Sequence, residues 1–271
     1  MTVRGSEQRA RLAAFIQSPR LARTIGAVGI VTVVGLFGIT FWALVVHLSG
    51  VDQRLFPGPL AVGTAMMDLL ISERFWSNFL VTTQEAVTGL SVGCLAAILV
   101  GIVVANSRAV EIVFMPYAVA LQSMPKMALA PLIVVWFGFG FSSKVILVAT
   151  LVFFPMLVNV IAGLRSSPSE EVQMLRASGA SRLQLLYFLQ FPNALSFIFA
   201  ALEACVVLGV IGAIIGEYVG AEGGIGYQML QYYKQFRTAE FFALMIVLAA
   251  LGFGQYLLVG AVRRRVVFWS R

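Results

Sequence analysis

Four ionisable side chains stand inside long apolar runs of this chain, where a buried charge is expensive. They are Glu85, Lys126, Glu203 and Glu217. A lysine near the middle of a membrane span costs at least about 2.5 kcal/mol on insertion scales, so it usually faces protein or a water-filled cavity. Buried carboxylates in a bilayer are functional candidates as well, and they are often paired. These residues therefore predict a route for a polar or charged solute.

Lys126 is the strongest candidate for a residue on this route. Pro125 precedes it and Pro131 follows it. A proline interrupts the helical hydrogen-bond ladder, which a membrane tolerates where the backbone lines a cavity. We predict that Lys126 attracts anionic or polar groups of the solute. The alternative is a lysine that extends its ammonium group to the membrane interface. Lys126 could also pair with Glu85 or Glu203, and the sequence does not select between them.

Small residues recur every four positions in two of the apolar runs. One set is Gly89, Gly93, Ala97 and Gly101, and the other is Gly212, Gly216 and Gly220. Such stripes let helices approach closely, so we interpret both as packing surfaces. The alternative is that Gly212 and Gly216 line the solute path between subunits. Glu217 lies beside them, either in an outer gate or as an interfacial carboxylate.

Residues suited to catalysis are scarce. His47 is the only histidine, and Cys94 and Cys205 lie in apolar runs, so neither a metal site nor a disulfide framework is expected. None of the lysines follows a glycine in a phosphate-binding loop. We expect no catalytic residue, metal or cofactor in this chain. Any ATP hydrolysis must come from another subunit, which would bind the ATP and Mg.

The composition is that of a membrane protein. Sixty per cent of the 271 residues are hydrophobic and 11% are charged, whereas a soluble domain carries about a quarter charged residues. Apolar runs of twenty or more residues predict several transmembrane helices. The formal charge of +7 comes from residues that flank these runs, which indicates membrane topology and no nucleic-acid partner.

Six spans are predicted in an all-α membrane domain over residues 25–262. They are residues 25–48, 79–105, 109–138, 143–163, 194–216 and 241–262. Residues 1–24 form an N-terminal tail and residues 263–271 a C-terminal tail. In the first outer loop, Leu60 to Trp76 has apolar residues on a helical period, which predicts an interfacial helix.

The basic residues set the orientation of these spans. Thirteen of the 19 fall on one side: Arg4, Arg9, Arg11, Arg20, Arg23, Arg108, Arg165, Arg176, Arg182, Arg263, Arg264, Arg265 and Arg271. The opposite loops hold five: Arg54, Arg74, Lys144, Lys234 and Arg237. Both termini and the polar segment 165–192 are therefore expected in the cytoplasm.

The polar segment 165–192 predicts two short helices joined at a glycine. Ser169 can cap the first helix, or Pro168 can occupy an early position, and Glu170 and Glu171 suit the positive end of its dipole. We expect Gly179 to end that helix near Ser178 in a left-handed conformation. A second helix would follow over residues 182–189, with a bend at Pro192. This elbow can transmit movement from a docked subunit, whereas the simpler alternative is a solvated amphipathic loop.

The spacing in this segment resembles the cytoplasmic loop of ABC importer permeases, E-A-A-x3-G-x9-I-x-L-P. Gly179 is followed after nine residues by Leu189-Gln190-Phe191-Pro192, although Gln173-Met174-Leu175 replaces E-A-A. In that family a short helix of this loop docks into an ATPase subunit. The resemblance implies that the following residues couple to an ATPase: Glu170, Glu171, Gln173, Met174, Arg176, Ala177, Ser178, Gly179, Ala180 and Pro192.

Further segments resemble the nitrate/sulfonate/taurine-type permeases over residues 55–265. They are 122–132, 136–138, 144–165, 216–220 and 223–226. The resemblance implies a type I ABC importer permease fold in a bacterial or archaeal inner membrane. It also implies a homodimer of this chain, two cytoplasmic ATPase subunits and an extracytoplasmic substrate-binding protein. Residues 82–86 and 210–220 look most like the branch that imports pyrimidine or flavin precursors, with nitrate, sulfonates, taurine and aromatic acids as alternatives.

Three other functions fit the residues less well. A secondary transporter driven by an ion gradient is the main alternative, but it favours two related halves and a larger chain. An ion channel needs a filter-like loop, and a membrane enzyme needs a cluster of catalytic side chains. The predicted function is ATP-driven translocation of a small polar or anionic solute.

Overall fold

The computed structural model describes residues 19–52 and 54–269, and all regular elements in those ranges are helices. The predicted tail 1–24 lies largely outside the described residues. The helices are α1 (Pro19–Ser49), α2 (Pro59–Ile71), α3 (Glu73–Asn106), α4 (Arg108–Gln122), α5 (Lys126–Phe137), α6 (Phe141–Arg165), α7 (Ser169–Ala177), α8 (Arg182–Leu185), α9 (Phe191–Val219), α10 (Ile225–Lys234) and α11 (Thr238–Val266).

Five of the described helical segments are long and apolar enough to cross a membrane. They are Thr32–Ser49, Glu73–Asn106, Phe141–Arg165, Arg182–Val219 and Thr238–Val266. Each contains or overlaps a predicted span and most extend it by a few residues at both ends. The last one continues through Val266, so Arg263, Arg264 and Arg265 of the predicted tail are helical.

The predicted third span, 109–138, is broken. Its two halves, α4 and α5, meet at an angle of 94°. Pro125 is the residue before α5 and has an extended backbone, with ψ near 93°, whereas Pro131 lies inside α5 without ending it. A proline at the start of a helix needs no N–H donor, which explains why the break falls at Pro125.

The described part of the chain divides into two compact units, one that ends at residue 64 and one that begins at residue 65. In the first unit, α1 is a long apolar helix with most of its described side chains exposed. In the second unit, α6 packs along both α3 and α9, and α9 also contacts α11. The residues Val148, Val152, Met156 and Leu157 of α6 are fully buried in this core.

The two small-residue stripes explain how closely these helices approach. A Cβ on Gly89 would lie 2.5 Å from Val148, and one on Gly212 would lie 2.7 Å from Leu151. Both stripes therefore contact α6, which lies between α3 and α9. Apolar lipid provides little drive for helix association, so the close van der Waals contact of small residues supplies it.

Replacing Gly93 by alanine should destabilise the protein. The added methyl would lie 2.5 Å from Val152 and 2.6 Å from the Ala149 carbonyl oxygen, so the backbone of α6 must move. Overpacking of this kind costs about 1–3 kcal/mol, which thermal unfolding in detergent will report as a lower midpoint. Gly254→Ala in α11 is the control, since no heavy atom lies within 4 Å of its Cβ position. Equal midpoints for the two variants would contradict the packing interpretation.

Candidate functional site

The elbow begins with α7, which has the predicted position and length. Pro168 is the residue before this helix and Ser169 is its first residue, so Ser169 does not cap it. Glu170 and Glu171 lie in the first turn, where a negative charge is favourable. No side chain of α7 is buried. The helix therefore stands away from the core.

Gly179 ends the first helix of the elbow as predicted, with φ at 82°. The Ala180 N–H donates to the Leu175 carbonyl at 3.0 Å, and the Gly179 N–H donates to the Arg176 carbonyl at 3.0 Å. This pair of bonds is the Schellman motif, which requires a left-handed residue and favours glycine. The turn between the two helices is therefore fixed by the backbone.

A capping box that the sequence analysis did not identify starts the second helix. The Gln184 N–H donates to Ser181 Oγ at 3.3 Å, and the Ser181 N–H donates to Gln184 Oε1 at 2.8 Å. The S-x-x-Q spacing is the signal that could have found it. Because each residue satisfies the other's backbone group, α8 has a defined direction.

Pro192, where a bend was predicted, lies inside a continuous helical segment. Residues 186–190 form a π-helical turn, in which the Phe191 N–H donates to the Leu186 carbonyl, and the chain continues from Arg182 to Val219 without a break. Pro192 has no N–H for the carbonyl four residues earlier, and its ring needs space there. The wider π turn provides that space without ending the helix.

The base of the elbow is tied to the rest of the second unit. Arg165 at the end of α6 forms a two-pronged ion pair with Glu111 of α4, with 2.8 Å between Nη2 and Oε2. Glu111 also accepts a bond from Arg108 at 2.7 Å. Bidentate arginine–carboxylate pairs fix orientation as well as distance. Asn193 adds a bond to Ser167 at 3.2 Å.

The elbow presents an apolar surface that the sequence analysis did not anticipate. Met174 is 62% exposed. Three further large apolar side chains on the same segment are exposed: Leu183, Tyr187 and Phe188. Of the residues predicted to couple to an ATPase, all are exposed except Ala180 and Pro192, which are half-buried. An exposed apolar patch of this kind, rimmed by charged residues, is typical of a protein–protein contact.

A buried polar cluster lies at the opposite end of the helices. Its centre is Glu217, which is 1% exposed. The Thr82 hydroxyl donates to Glu217 Oε1 at 2.6 Å, and the Gly226 N–H donates to Oε2. Glu217 is thus neither an interfacial carboxylate nor a group at an open surface. It anchors the turn between α9 and α10.

Neighbouring polar residues of α3 anchor the same turn. The Ile225 N–H donates to Thr82 Oγ1 at 2.7 Å, and the Gly224 N–H donates to Asn78 Oδ1 at 2.9 Å. Gly224 has φ at 104°, and a Cβ there would overlap the Glu217 carboxyl group. The glycine-rich turn, predicted to be an outer turn, thus closes over a carboxylate, which a larger residue would displace.

Lys144 is the cationic member of this cluster, and its predicted position in a loop is wrong because it lies within α6. It is 1% exposed within α6. Its ammonium group donates to the Gly220 carbonyl at 2.7 Å and to the Phe139 carbonyl. It interacts electrostatically with Glu85, Glu217 and Glu222. The burial of Lys144 could not be predicted from its position at the edge of an apolar run, because lysines in exposed loops occupy such positions too.

Glu85 completes the cluster from α3. It is 3% exposed and lies within hydrogen-bonding reach of Glu217. Glu85, Lys144 and Glu217 therefore meet although they come from three different helices. Among the described residues, no group of three or more His, Cys, Asp or Glu side chains could hold a metal.

The remaining path candidates lie apart from this cluster. Lys126 begins α5 just after the break, with its ammonium 5.4 Å from the centre of the Phe154 ring. The possible pairing of Lys126 with Glu85 or Glu203 is not formed among the described residues, because Glu85 lies beside Glu217 and Glu203 pairs with Arg263 at 3.3 Å. Gly212 and Gly216 are buried against α6, where a Cβ on Gly216 would lie 2.9 Å from Lys144. These two glycines are packing residues in this structure.

Comparison with known proteins places the chain in a family. The family of binding-protein-dependent transport system inner membrane components matches residues 95–268. The riboflavin transport system permease protein RibX of Chloroflexus aurantiacus is 33% identical over 232 residues, which are 86% of this chain and 87% of the relative. The formylaminopyrimidine transport permease protein ThiX of Halalkalibacterium halodurans is 33% identical over 215 residues, which are 79% of this chain and 85% of that relative.

Solved structures agree on the fold. The MetNI methionine ABC transporter in an inward-facing conformation superposes with a TM-score of 0.61 at 21% identity, covering 74% of this chain and 97% of that one. The all-helical fold is thus that of a type I ABC importer permease. Since the family match and the 33% identical relative each cover most of the chain, this protein belongs to the inner membrane components of binding-protein-dependent transport systems, as the permease subunit of an ABC importer.

Proposed function

We propose that this chain imports a small heterocyclic solute of the flavin or pyrimidine-precursor class, driven by ATPase subunits that dock on the elbow. The observation that supports ATPase docking best is the elbow itself. Its two helices are capped at the turn, and it presents exposed apolar side chains beside Glu170, Glu171 and Arg176. A protruding pair of capped helices can dock into a cleft of a partner subunit more readily than a loop without fixed structure.

The partners follow from this assignment. Two copies of this chain form the pathway between them, and two cytoplasmic ATPase subunits bind ATP and Mg. An extracytoplasmic substrate-binding protein delivers the solute. Both termini and the elbow lie in the cytoplasm, as the excess of basic residues on that side favours. The chain itself performs no bond-breaking chemistry.

The continuous helix from the elbow to the buried cluster supplies a mechanical link. Residues Arg182–Val219 form 38 residues of unbroken helix, or about 57 Å at 1.5 Å per residue. One end carries the second half of the elbow, and the other end carries Glu217. A movement of the docked ATPase would therefore reach the turn held by Glu217. Transport then proceeds as a switch between two states with the path open to opposite sides.

In this proposed function, Lys126 and Pro125 line the solute path. The break at Pro125 frees backbone groups, and Lys126 is half-buried at the start of α5. Its ammonium lies near an aromatic ring, where a cation remains available to a carbonyl or anionic group of the solute. Glu203 contributes less to the solute path than Lys126 does, because its carboxylate accepts a hydrogen bond from Arg263.

The substrate class rests on relatives. The two relatives described above are named for riboflavin and formylaminopyrimidine transport. Both compounds are nitrogen heterocycles, and both relatives are 33% identical to this chain. We therefore place the solute in this chemical class ahead of nitrate and the sulfonates.

A cysteine at position 174 should cross-link to the ATPase subunit. Met174 is exposed on the elbow, and the native Cys94 and Cys205 are buried, so a single reactive thiol results. With the complex assembled in lipid, a short bifunctional maleimide should join Met174→Cys to the ATPase, as read on a denaturing gel. Met67→Cys is the control, since Met67 is equally exposed but lies on α2. Equal cross-linking from both positions would contradict docking at the elbow.

Replacing Lys126 by methionine should reduce solute uptake while the protein still folds. The change removes the charge and keeps most of the apolar length, so contact with Phe154 persists. Loss of one charge-assisted bond to the solute is worth about 1.5–3 kcal/mol, which is a tenfold or larger fall in uptake at limiting solute. Lys234→Met removes an exposed charge and serves as the control. Unchanged uptake in Lys126→Met would remove this residue from the path.

A further inference from the structure

The turn between α10 and α11 holds a large aromatic side chain in an unfavourable backbone conformation. It comprises Gln235, Phe236 and Arg237, at the end of the helices opposite the elbow. Phe236 has φ at 56° and is the only residue other than glycine with a positive φ in the described part of the chain. The left-handed region is costly for a residue with a Cβ, and a bulky side chain is rarely found there. The choice of phenylalanine at this position therefore calls for an explanation.

The backbone bonds of this turn do not require phenylalanine. The Arg237 N–H donates to the Tyr232 carbonyl at 3.0 Å, and the Phe236 N–H donates to the Tyr233 carbonyl at 3.2 Å. These are the two bonds of a Schellman motif, the motif that Gly179 completes in the elbow. Glycine would complete the motif here too, without strain. The advantage of an aromatic ring must therefore come from something the ring contacts.

The core of this chain does not supply that contact. Phe236 is 70% exposed, and Tyr233 is 66% exposed. Strained residues persist where the surrounding structure holds them in place, and they cluster at functional sites. Aromatic residues are enriched in protein–protein contacts, where a few of them provide most of the binding energy. The exposed rings of this turn are thus candidates for such a contact.

A chain of hydrogen bonds ties the turn to the buried cluster. Asn78 Nδ2 donates to Gln228 Oε1 at 3.2 Å, and Gln228 Nε2 donates to the Tyr232 hydroxyl at 3.0 Å. The Arg237 guanidinium lies 4.8 Å from the centre of the Tyr232 ring and donates to Glu240 Oε1 at 2.6 Å. The turn therefore presents its side chains in fixed positions, which reduces the entropy lost when a partner binds.

A folded protein fits this surface better than lipid does. Aromatic and basic residues also occur at membrane interfaces, but a fluid interface accepts a ring from any backbone conformation and gives no advantage to a strained one. A pocket of fixed shape does favour a ring in one position. Arg237 uses Nε and Nη2 to bind Glu240, so its Nη1 group can donate to carbonyl or carboxylate oxygens of a partner.

We propose that Tyr233, Phe236 and Arg237 form a docking surface for the substrate-binding protein, with the Phe236 ring in an apolar pocket of that protein. The family is that of binding-protein-dependent transport systems, and the proposed function requires this soluble protein on the side opposite the ATPase subunits. Acceptor oxygens at the rim of the pocket bind Arg237. This inference rests on the proposed importer function and adds the place where one of its partners binds.

Replacing Phe236 by glycine distinguishes a binding role from a structural one. Glycine relieves the strain, so the thermal unfolding midpoint should not fall, whereas loss of a central aromatic anchor should weaken binding about tenfold or more. We would measure the Kd of a fluorescently labelled binding protein for the permease–ATPase complex in lipid nanodiscs. The binding protein used is the one that raises ATP hydrolysis by the wild-type complex. Phe268→Gly is the matched control and should leave the Kd unchanged, because Phe268 is 68% exposed beyond the other end of α11.

A photoreactive side chain at position 236 gives a second readout that does not depend on a loss of affinity. Phe236→p-benzoylphenylalanine keeps an aromatic ring, and irradiation should join it to the binding protein, as read on a denaturing gel. The same side chain at position 268 should not cross-link to the binding protein. An unchanged Kd in Phe236→Gly, a lower thermal midpoint in that variant, or cross-links from position 236 to lipid alone would each overturn the docking surface. The last result would identify a membrane anchor.

The wild-type complex separates this inference from the proposed function. If a binding protein raises ATP hydrolysis and binds Phe236→Gly as tightly as the wild-type complex, the docking surface is wrong and the importer function stands. If no binding protein binds the wild-type complex or raises its ATP hydrolysis, the importer function itself is wrong.

Discussion

The close approach of α3 and α9 to α6 is the constraint on which the rest of this structure depends. Gly89 and Gly93 on one side, and Gly212 and Gly216 on the other, leave no room for a Cβ against α6. Because lipid is as apolar as the helices, the hydrophobic effect does little to bring them together, and close van der Waals packing must stabilise this contact. It has a chemical consequence, since each helix of the trio carries one charged residue near the same end. Glu85, Lys144 and Glu217 meet only because the backbones approach so closely.

One continuous helix joins the buried cluster to the second half of the elbow. Glu217 binds the turn after α9 through Thr82 and backbone N–H groups, and the π turn lets the same helix continue past Pro192 into the elbow. Burying a carboxylate is costly unless its oxygens are satisfied, and here the satisfied carboxylate fixes a turn. In the proposed mechanism, this helix, held at one end by a buried charge and at the other by a capped elbow, moves as a unit.

Much of the fold follows from local sequence signals. Long apolar runs locate five of the helical spans within a few residues, and Gly179 identifies the elbow turn because only a left-handed residue completes that motif. Pro125 marks the broken span, but its 94° angle depends on packing that no local pattern encodes. The π turn before Pro192 likewise has no local sequence signal. It makes room for the proline ring within the continuing helix.

The buried site was harder to predict than the fold. Glu85 and Glu217 are recognisable as carboxylates inside apolar runs, yet Lys144 resembles an ordinary residue at a span boundary. Its burial depends on Gly216 and Gly220, which lie more than 70 residues later in the chain and bring α9 against it. Lys126 has the stronger sequence signal, and it lies outside this cluster. A charge within an apolar run therefore marks a candidate, while its partners are set by helix packing.

We propose above that ATP hydrolysis by a docked subunit drives transport through this chain. The most direct measurement is the ATP hydrolysis rate of the lipid-reconstituted complex, with and without its substrate-binding protein loaded with a nitrogen heterocycle. We expect the loaded binding protein to raise the hydrolysis rate, and the empty binding protein to raise it less. A permease that binds no ATPase and moves solute in response to an ion gradient would contradict it.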